Sequence, residues 1–109
     1  MGPTEVVSSD QGLENIPSSF EISQNFPNPF NANSQIRYGL PHRSFVVLRI
    51  YNTLGQFIKE LVNEELSPGY HEVIWDGKDS YGREVGSGIY FLHMEAISFS
   101  KTLKMLLVR

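Results

Sequence analysis

The chain has 109 residues, 40% hydrophobic and 12% aromatic, which fits one globular domain because domains cluster near ~100–150 residues. Its net charge of −3 excludes the broad basic surface that nucleic acid requires, and its longest apolar run, residues 105–108, is too short to span a bilayer. It contains no cysteine, so its stability depends on packing rather than on disulfides or a cysteine-based zinc site.

Residues 1–19 are predicted to be a flexible acidic linker, or an extension that cloning added. Glu5, Asp10 and Glu14 carry the excess negative charge of the chain, and no Lys or Arg stands among them. The stretch has no basic start and no apolar centre, so it is not a signal peptide. We therefore expect the folded domain to comprise residues 20–109.

From residue 20 onward, short stretches of alternating polarity are separated by Gly, Pro and Asn at intervals of roughly 8–12 residues. The alternation predicts about seven strands, and they fall near residues 20–23, 35–40, 46–51, 56–63, 71–75, 90–95 and 103–107. No long stretch keeps a helical period. The sequence therefore predicts an all-β fold, an antiparallel β-sandwich built from sequential hairpins.

Candidate catalytic groups are sparse in this pattern. The histidines His42, His71 and His93 fall on separate predicted elements, and no serine stands in a Gly-x-Ser-x-Gly turn. His71 and Asp76 could act as a base and its orienting partner, but the sequence favours the ordinary interpretation, a strand histidine whose ring is partly buried beside Trp75. We expect no enzymatic activity and no cofactor.

The loop at residues 76–84 has two interpretations. Its carboxylates, among them Asp76 and Asp79, are ligands that calcium prefers, although their spacing does not match an EF-hand. The competing interpretation is a turn in which Asp76 and Asp79 accept backbone N–H groups while Gly77 and Gly82 take positive φ. The sequence favours the turn and leaves calcium binding open.

Aromatic residues offer a third kind of site. If Trp75 faces the core, Tyr70, Tyr51 and Phe91 are predicted to lie on outer faces, where they could stack on sugar rings. A planar row of exposed rings would distinguish a glycan-binding face from ordinary cross-strand packing.

Several motifs in order resemble the C-terminal sorting domain, type A, of the bacterial type IX secretion system. The resemblance begins at Gln24-Asn25-Phe26-Pro27-Asn28-Pro29-Phe30 and extends to Lys104-Met105-Leu106-Leu107-Val108-Arg109, which is similar to the family's terminal strand. Between them lie Gly55, Gly69, Trp75, Asp76, Gly77, Asp79, Gly82, Gly88 and Tyr90. The pattern from Trp75 to Tyr90 is also similar to the immunoglobulin-like domain of the flagellar hook-capping protein, which implies an immunoglobulin-like sandwich.

The same motifs have physical roles of their own. Pro27 and Pro29 fix φ and remove two backbone donors, so they predict an extended or turn connection at a sheet edge. Phe26 and Phe30 are expected to attach that connection to the core, and Trp75 is expected to occupy the core's centre. Gly55 and Gly69 are predicted to form tight hairpin turns with positive φ.

The resemblance implies a non-catalytic sorting module in an exported bacterial protein. Such a domain follows a cargo protein, passes through the periplasm, is recognised by the outer-membrane secretion machinery and is often removed by a sortase-like peptidase at the cell surface. The terminal motif, residues 104–109, is the implied sorting signal, and strand addition at a free edge is one route to its recognition.

The alternative hypothesis is a structural or adhesive module. The same sandwich could act as a glycan-binding accessory domain, or it could assemble by lending its N-terminal extension, with Val6 and Val7, to a neighbour's sheet edge. A dimer or filament in solution would favour this second interpretation.

Overall fold

A computed structural model describes residues 16–109, which form seven β-strands and no helix. The strands are β1 (Glu21–Ile22), β2 (Ser34–Leu40), β3 (Ser44–Asn52), β4 (Phe57–Leu66), β5 (Gly69–Trp75), β6 (Gly88–Ala96) and β7 (Phe99–Leu107). Each lies where alternating polarity predicted a strand, so the all-β prediction is confirmed. Most of the predicted linker, including Val6 and Val7, lies outside the described residues.

The strands form two antiparallel sheets, one in the order β1-β2-β5 and the other in the order β4-β3-β6-β7. Three consecutive pairs, β1 with β2, β3 with β4 and β6 with β7, are joined by hydrogen bonds. The pairs β2–β5 and β3–β6 instead join strands that are distant in sequence. This arrangement is the immunoglobulin-like sandwich.

The prediction of a tight hairpin turn at Gly69 is wrong. That residue has a φ of 124°, as predicted, but it follows β4 in one sheet and begins β5 in the other. The turn therefore carries the chain between sheets. Gly55, with a φ of 80°, does lie in the β3–β4 hairpin, where the Asn52 side-chain oxygen accepts the N–H groups of Leu54 and Gln56.

Alternation along the strands places one set of side chains between the sheets. In β3, Val46, Leu48 and Ile50 are fully buried, while Val47 and Arg49 face outward. The buried apolar residues form a continuous core. They are Ile22, Phe30, Ile36, Tyr38, Leu40, Val46, Leu48, Ile50, Val62, Trp75, Tyr90, Leu92, Met94, Met105 and Leu107.

Trp75 occupies the part of the core predicted for it and is fully buried. Its ring centroid lies 5.6 Å from that of Phe30 and 5.3 Å from that of Tyr90. Its indole Nε1 donates to the carbonyl oxygen of Lys78 at 2.9 Å. A buried indole N–H needs such an acceptor, so this bond fixes the start of the following loop against the core.

The expectation that Phe26 and Phe30 both attach their segment to the core is correct for Phe30 and wrong for Phe26. Phe30 is 2% exposed and attaches its segment to the core, whereas Phe26 is 77% exposed and does not. The backbone of Phe26 explains its position, because its N–H and C=O both pair with Gln35 of β2. That pairing directs the Phe26 side chain to the outside of the three-stranded sheet.

Candidate recognition site at one end of the sandwich

Most of the residues that carry the sequence resemblance meet at one end of the sandwich, which we call the motif end. There β2 begins opposite the end of β5, with Ser34 facing Trp75. In the other sheet, Tyr90 near the start of β6 faces both Asn52 of β3 and Met105 of β7. Gly69 lies at the opposite end, beside Leu40.

Residues 104–108 of the terminal motif, residues 104–109, lie in three environments. Met105 and Leu107 are fully buried in the core. Lys104 and Leu106 alternate with them and point to the outer face of the four-stranded sheet. Val108 follows the strand and is half exposed. Only part of the predicted sorting signal is therefore accessible in the folded domain.

The outer edge of β7 is covered along this motif by residues 24–30, which we call the strap. Phe30 donates its N–H to the Leu106 carbonyl at 3.0 Å and accepts the N–H of Val108 at 2.8 Å. The side-chain oxygen of Asn28 accepts the Leu106 N–H at 3.0 Å, and Gln24 Nε2 donates to the Lys104 carbonyl at 2.7 Å. The Lys104 carbonyl, both backbone groups of Leu106 and the Val108 N–H, which an incoming strand would use, are therefore already bonded.

This covering corrects the expectation of a free edge at the terminal motif. The two prolines in the strap, Pro27 and Pro29, have no N–H to donate, so the strap cannot run as a regular strand beside β7. The backbone of Phe30 and the side chains of Asn28 and Gln24 supply the missing partners. Strand addition to residues 104–108 would require the strap to leave.

A buried polar network holds the strap in place. Asn25 is 2% exposed, and its side-chain amide donates to Ser34 Oγ at 2.8 Å and to the Pro27 carbonyl at 3.1 Å. Ser34 Oγ donates to the same carbonyl at 2.7 Å. Buried polar groups that are fully bonded fix one arrangement of the chain. Sequence reasoning missed Ser34, because it is a polar residue at a buried position of β2, and it missed the strap's side-chain bonds, because the strap has no periodic pattern.

Arg109 is bound to the loop between β5 and β6. Its Nε donates to the Val85 carbonyl at 2.6 Å, and its Nη2 donates to the Gly77 carbonyl at 2.6 Å. Its backbone N–H donates to Ser87 Oγ at 2.8 Å. A guanidinium carries several donors in a fixed plane, and here it ties the residue after β7 to the Trp75-Asp76-Gly77 motif.

The loop at residues 76–84 has the bonds predicted for a turn. Asp76 accepts the Lys78 N–H, and Asp79 Oδ1 accepts the N–H groups of Tyr81 and Arg83. Gly77 and Gly82 have φ values of 73° and 78°. The N–H groups of Arg83 and Tyr81, with the Arg83 guanidinium, lower the pKa of Asp79. Among residues 16–109, no three His, Cys, Asp or Glu side chains are grouped as metal ligands would be.

The histidines do not converge. His71 Nε2 lies 2.8 Å from the Ser67 carbonyl, and its ring stacks on Tyr38 with centroids 5.5 Å apart. The neighbour of this partly buried ring is therefore Tyr38 rather than Trp75. His93 bonds Thr102 on the outer face of the four-stranded sheet, and His42 lies beside Phe20. Buried Tyr38 has its pKa raised to about 12, mainly by desolvation.

The three aromatic residues expected on outer faces do not form one row. Tyr70 lies on the three-stranded sheet beneath the guanidinium of Arg37, whose carbon is 4.3 Å from the ring centroid. Tyr51 and Phe91 are cross-strand partners on the four-stranded sheet. Tyr51 meets Phe57 edge to face, with an interplanar angle of 72°. These rings are divided between two faces and are not coplanar, which is the pattern of cross-strand packing.

Taken together, the two antiparallel sheets, the Trp75 core and the covered terminal strand define an immunoglobulin-like β-sandwich module. The sequence profile described as the FlgD Ig-like domain matches residues 30–99. The chain therefore belongs to the FlgD Ig-like domain family. The matched range ends before the terminal motif, so the family as such does not account for residues 104–109. No curated protein matches the chain.

Solved structures with the same fold include proteins from two bacteria. Dimeric latent PorU from Porphyromonas gingivalis aligns with a TM-score of 0.66 and 20% identity over 84% of this chain and 10% of its own. PorZ, an essential surface component of the type IX secretion system of the same organism, aligns with a TM-score of 0.55 and 18% identity over 84% of this chain and 12% of its own.

FlgD from Pseudomonas aeruginosa aligns with a TM-score of 0.54 and 23% identity over 70% of this chain and 64% of its own. The chain thus spans about a tenth of PorU and PorZ and less than two thirds of this FlgD. At these identities the likeness concerns the fold. Within residues 16–109 no helix is long and apolar enough to cross a membrane.

Proposed function

We propose that the chain is a non-catalytic sorting domain of the type IX secretion system, which directs an attached cargo protein across the outer membrane to the cell surface. The observation that carries this proposal is the convergence of the resembling motifs. Phe30 from the first motif, Gly77 from the second and residues 104–109 contact one another at the motif end.

Convergence matters because a sorting signal on a folded domain has to be presented in a fixed shape. Phe30 and Trp75 pack 5.6 Å apart in the core, and Arg109 binds the loop that follows Trp75. The terminal motif is thus a structured part of the sandwich. Family membership and the fold shared with PorZ, a surface component of the type IX secretion system, support the proposal.

The absence of catalysis and the exported location are parts of the same proposal. The partners are the outer-membrane secretion machinery, a cargo domain fused upstream and a sortase-like peptidase acting before residue 20. Ser18 and Ser19 are exposed, which gives a peptidase access to the backbone there. Nothing in this function requires a pocket or a cofactor.

A reporter protein fused upstream of the 109-residue chain tests the proposal. The fusion carries a signal for export to the periplasm and is expressed in a bacterium with a working type IX system and in a matched strain without its translocon. We expect the reporter on the surface of the first strain and in the periplasm of the second, measured by protease accessibility on intact cells. Equal location in both strains would contradict the proposal.

The mass of the surface reporter tests the processing step separately. A product that ends near Ser18 or Ser19 shows removal of the sorting domain by a peptidase. A product that retains residues 20–109 shows that the domain stays attached, and it would contradict the peptidase as a partner while leaving export intact.

The second candidate is a module that assembles through sheet edges. The observation that favours it is the edge of the first half of β7. Ser100 and Thr102 direct their backbone groups away from β6, and within residues 16–109 no strap bonds to them. Unpaired edges of this kind are templates for strand addition. A dimer or filament of the purified chain, lost on changing this edge, would favour this candidate over sorting.

A further inference from the structure

The parts of the terminal motif that a partner can reach are few. This inference rests on the sorting function proposed above. Met105 and Leu107 are fully buried, and the edge along residues 104–108 is bonded to the strap. Arg109 is bound to the loop carbonyls of Gly77 and Val85. In the folded domain, the remaining contact groups are the side chains of Lys104 and Leu106 on the sheet face and that of Val108, which follows the end of β7.

Lys104 and Leu106 point to the outer face of the four-stranded sheet, where their neighbours are apolar. Leu106 lies opposite Ile89 and Lys104 lies opposite Phe91 on β6. Phe91 in turn lies opposite Tyr51, which contacts Phe57 of β4. We call Tyr51, Phe57, Ile89, Phe91 and Leu106 the apolar patch. It crosses all four strands of the sheet at the motif end.

The row of residues next to the patch on the same face is polar, and it separates the patch from Val47 and the exposed Phe45 farther along β3. The next row inward contains Arg49 and Glu60, whose Nε and Oε2 are 2.8 Å apart, and His93 bonded to Thr102 at 2.7 Å. Outer faces of sandwiches normally carry such polar residues. Phe57 is 50% exposed, Ile89 39% and Leu106 37%. Contiguous exposed apolar residues with a polar surround mark interaction surfaces.

The charge beside the patch indicates the chemistry of its partner. The ionic groups in the next row are paired, but among residues 16–109 no carboxylate lies within salt-bridge distance of the Lys104 ammonium. An apolar surface with one unpaired cation at its margin complements an apolar surface that carries a carboxylate. An anionic lipid surface would call for several basic residues, and a neutral glycan would leave Lys104 without an acidic partner.

We propose that the apolar patch, with Lys104 at its margin, is the surface through which the secretion machinery recognises the folded domain, and that the partner is an apolar protein surface with an acidic residue facing Lys104. The terminal motif then has two physical roles. Its buried residues hold the fold, and its outward residues contribute to the patch.

Export of the reporter fusion tests this surface with matched variants. Leu106→Glu places a charge in the patch, and its control is Ile74→Glu, an exposed apolar residue on the three-stranded sheet. Lys104→Glu reverses the marginal charge, and its control is Lys101→Glu on the same strand. All four variants are first checked for native folding by thermal unfolding.

We expect Leu106→Glu and Lys104→Glu to lower surface delivery by about tenfold or more, as truncation of a central interface residue does. The control variants should be delivered like the unchanged fusion. If the unchanged fusion is delivered but both patch variants match their controls, the patch is not the recognition surface and the sorting function survives. If the unchanged fusion itself stays in the periplasm, the sorting function fails.

A photo-crosslinker identifies what covers the patch. The variant Phe57→p-benzoylphenylalanine is compared in exporting cells with Tyr70→p-benzoylphenylalanine, which lies on the other sheet. We expect a crosslink from position 57 to an outer-membrane protein, and its loss when Lys104→Glu is added. A crosslink from position 57 to a second copy of the chain, or to lipid alone, would overturn the proposal.

Discussion

The two halves of β7 differ at their outer edge, although they belong to one strand. Along residues 104–108 the backbone groups are bonded by the strap, through Phe30, Asn28 and Gln24. Along residues 99–103 the backbone groups of Ser100 and Thr102 face away from β6, and no segment within residues 16–109 covers them in this way. An exposed edge is a site of unwanted pairing, and the molecule protects the half that carries the terminal motif.

The terminal motif is therefore protected along its backbone edge, while its outward side chains remain exposed. Its edge is closed, its core residues are buried, and its outward side chains join the apolar patch. A protein that has to be recognised without aggregating benefits from recognition through side chains on a fixed face rather than through free backbone groups. The variants that follow change the strap, its contacts or the loop between β5 and β6.

The largest effect should come from removing the main attachment of the strap. Phe30→Ala empties a fully packed core position against Trp75 and should lower the free energy of unfolding by ~3–5 kcal/mol. Phe26→Ala is the matched control, since that ring is 77% exposed, and it should change stability by less than about 0.5 kcal/mol. Urea unfolding measures both, and equal effects would contradict the assigned positions.

The next effect concerns the support for Arg109. A Cβ at Gly77 would lie 2.7 Å from Arg109 Nη2, and Gly77 has a φ of 73°. Gly77→Ala should therefore destabilise by strain, ~1–2 kcal/mol, and also by displacing the guanidinium from its carbonyls, worth ~1.5–3 kcal/mol.

Gly55→Ala is the control for Gly77→Ala, because Gly55 has a similar φ of 80° and open space around it. It should show the strain alone. In an Arg109→Ala background the excess cost at Gly77 should disappear. An excess that persists without Arg109 would show that the guanidinium contact is not its cause.

A smaller effect is expected at Asn28, whose side chain bonds the Leu106 N–H in a partly solvated position. Asn28→Ala should lower the free energy of unfolding by ~0.5–1.5 kcal/mol, the net value of one hydrogen bond. Asn28→Asp keeps the acceptor oxygen and should retain most of the stability. Loss of stability in both variants alike would show that the acceptor is not what matters there.

The smallest effect is a dependence on pH from Asp79. Its pKa is lowered by the Arg83 and Tyr81 N–H groups, so the ionised form favours the folded state. That stability is present above the ordinary Asp pKa of about 3.9 and is lost as the pH falls through that value and below. In Asp79→Asn, the free energy of unfolding should fall less steeply with decreasing pH than in the unchanged chain, measured by urea unfolding from pH 6 to pH 3. An equally steep fall would contradict the role of this carboxylate.

The sequence predicted the strands and the core well, because alternation in β3, β6 and β7 directly reflects burial between two sheets. It also predicted the turn bonds of Asp76 and Asp79, since these depend on local geometry. It did not predict the closed edge at Leu106 or the exposure of Phe26. The closed edge depends on a contact between the strap and β7, segments about 80 residues apart, and no local pattern encodes it. The exposure of Phe26 depends on the pairing of its backbone with Gln35 of β2, which the irregular strap sequence does not reveal.

The most direct test is backbone amide hydrogen exchange along β7, measured by NMR on the 109-residue chain. The N–H groups of Leu106 and Val108 are bonded by the strap, whereas those of Ser100 and Thr102 face away from β6 and have no such partner in the part of the chain that the structure describes. We expect slow exchange at Leu106 and Val108 and fast exchange at Ser100 and Thr102. Equally fast exchange at all four would show that the terminal edge is open and would contradict the account.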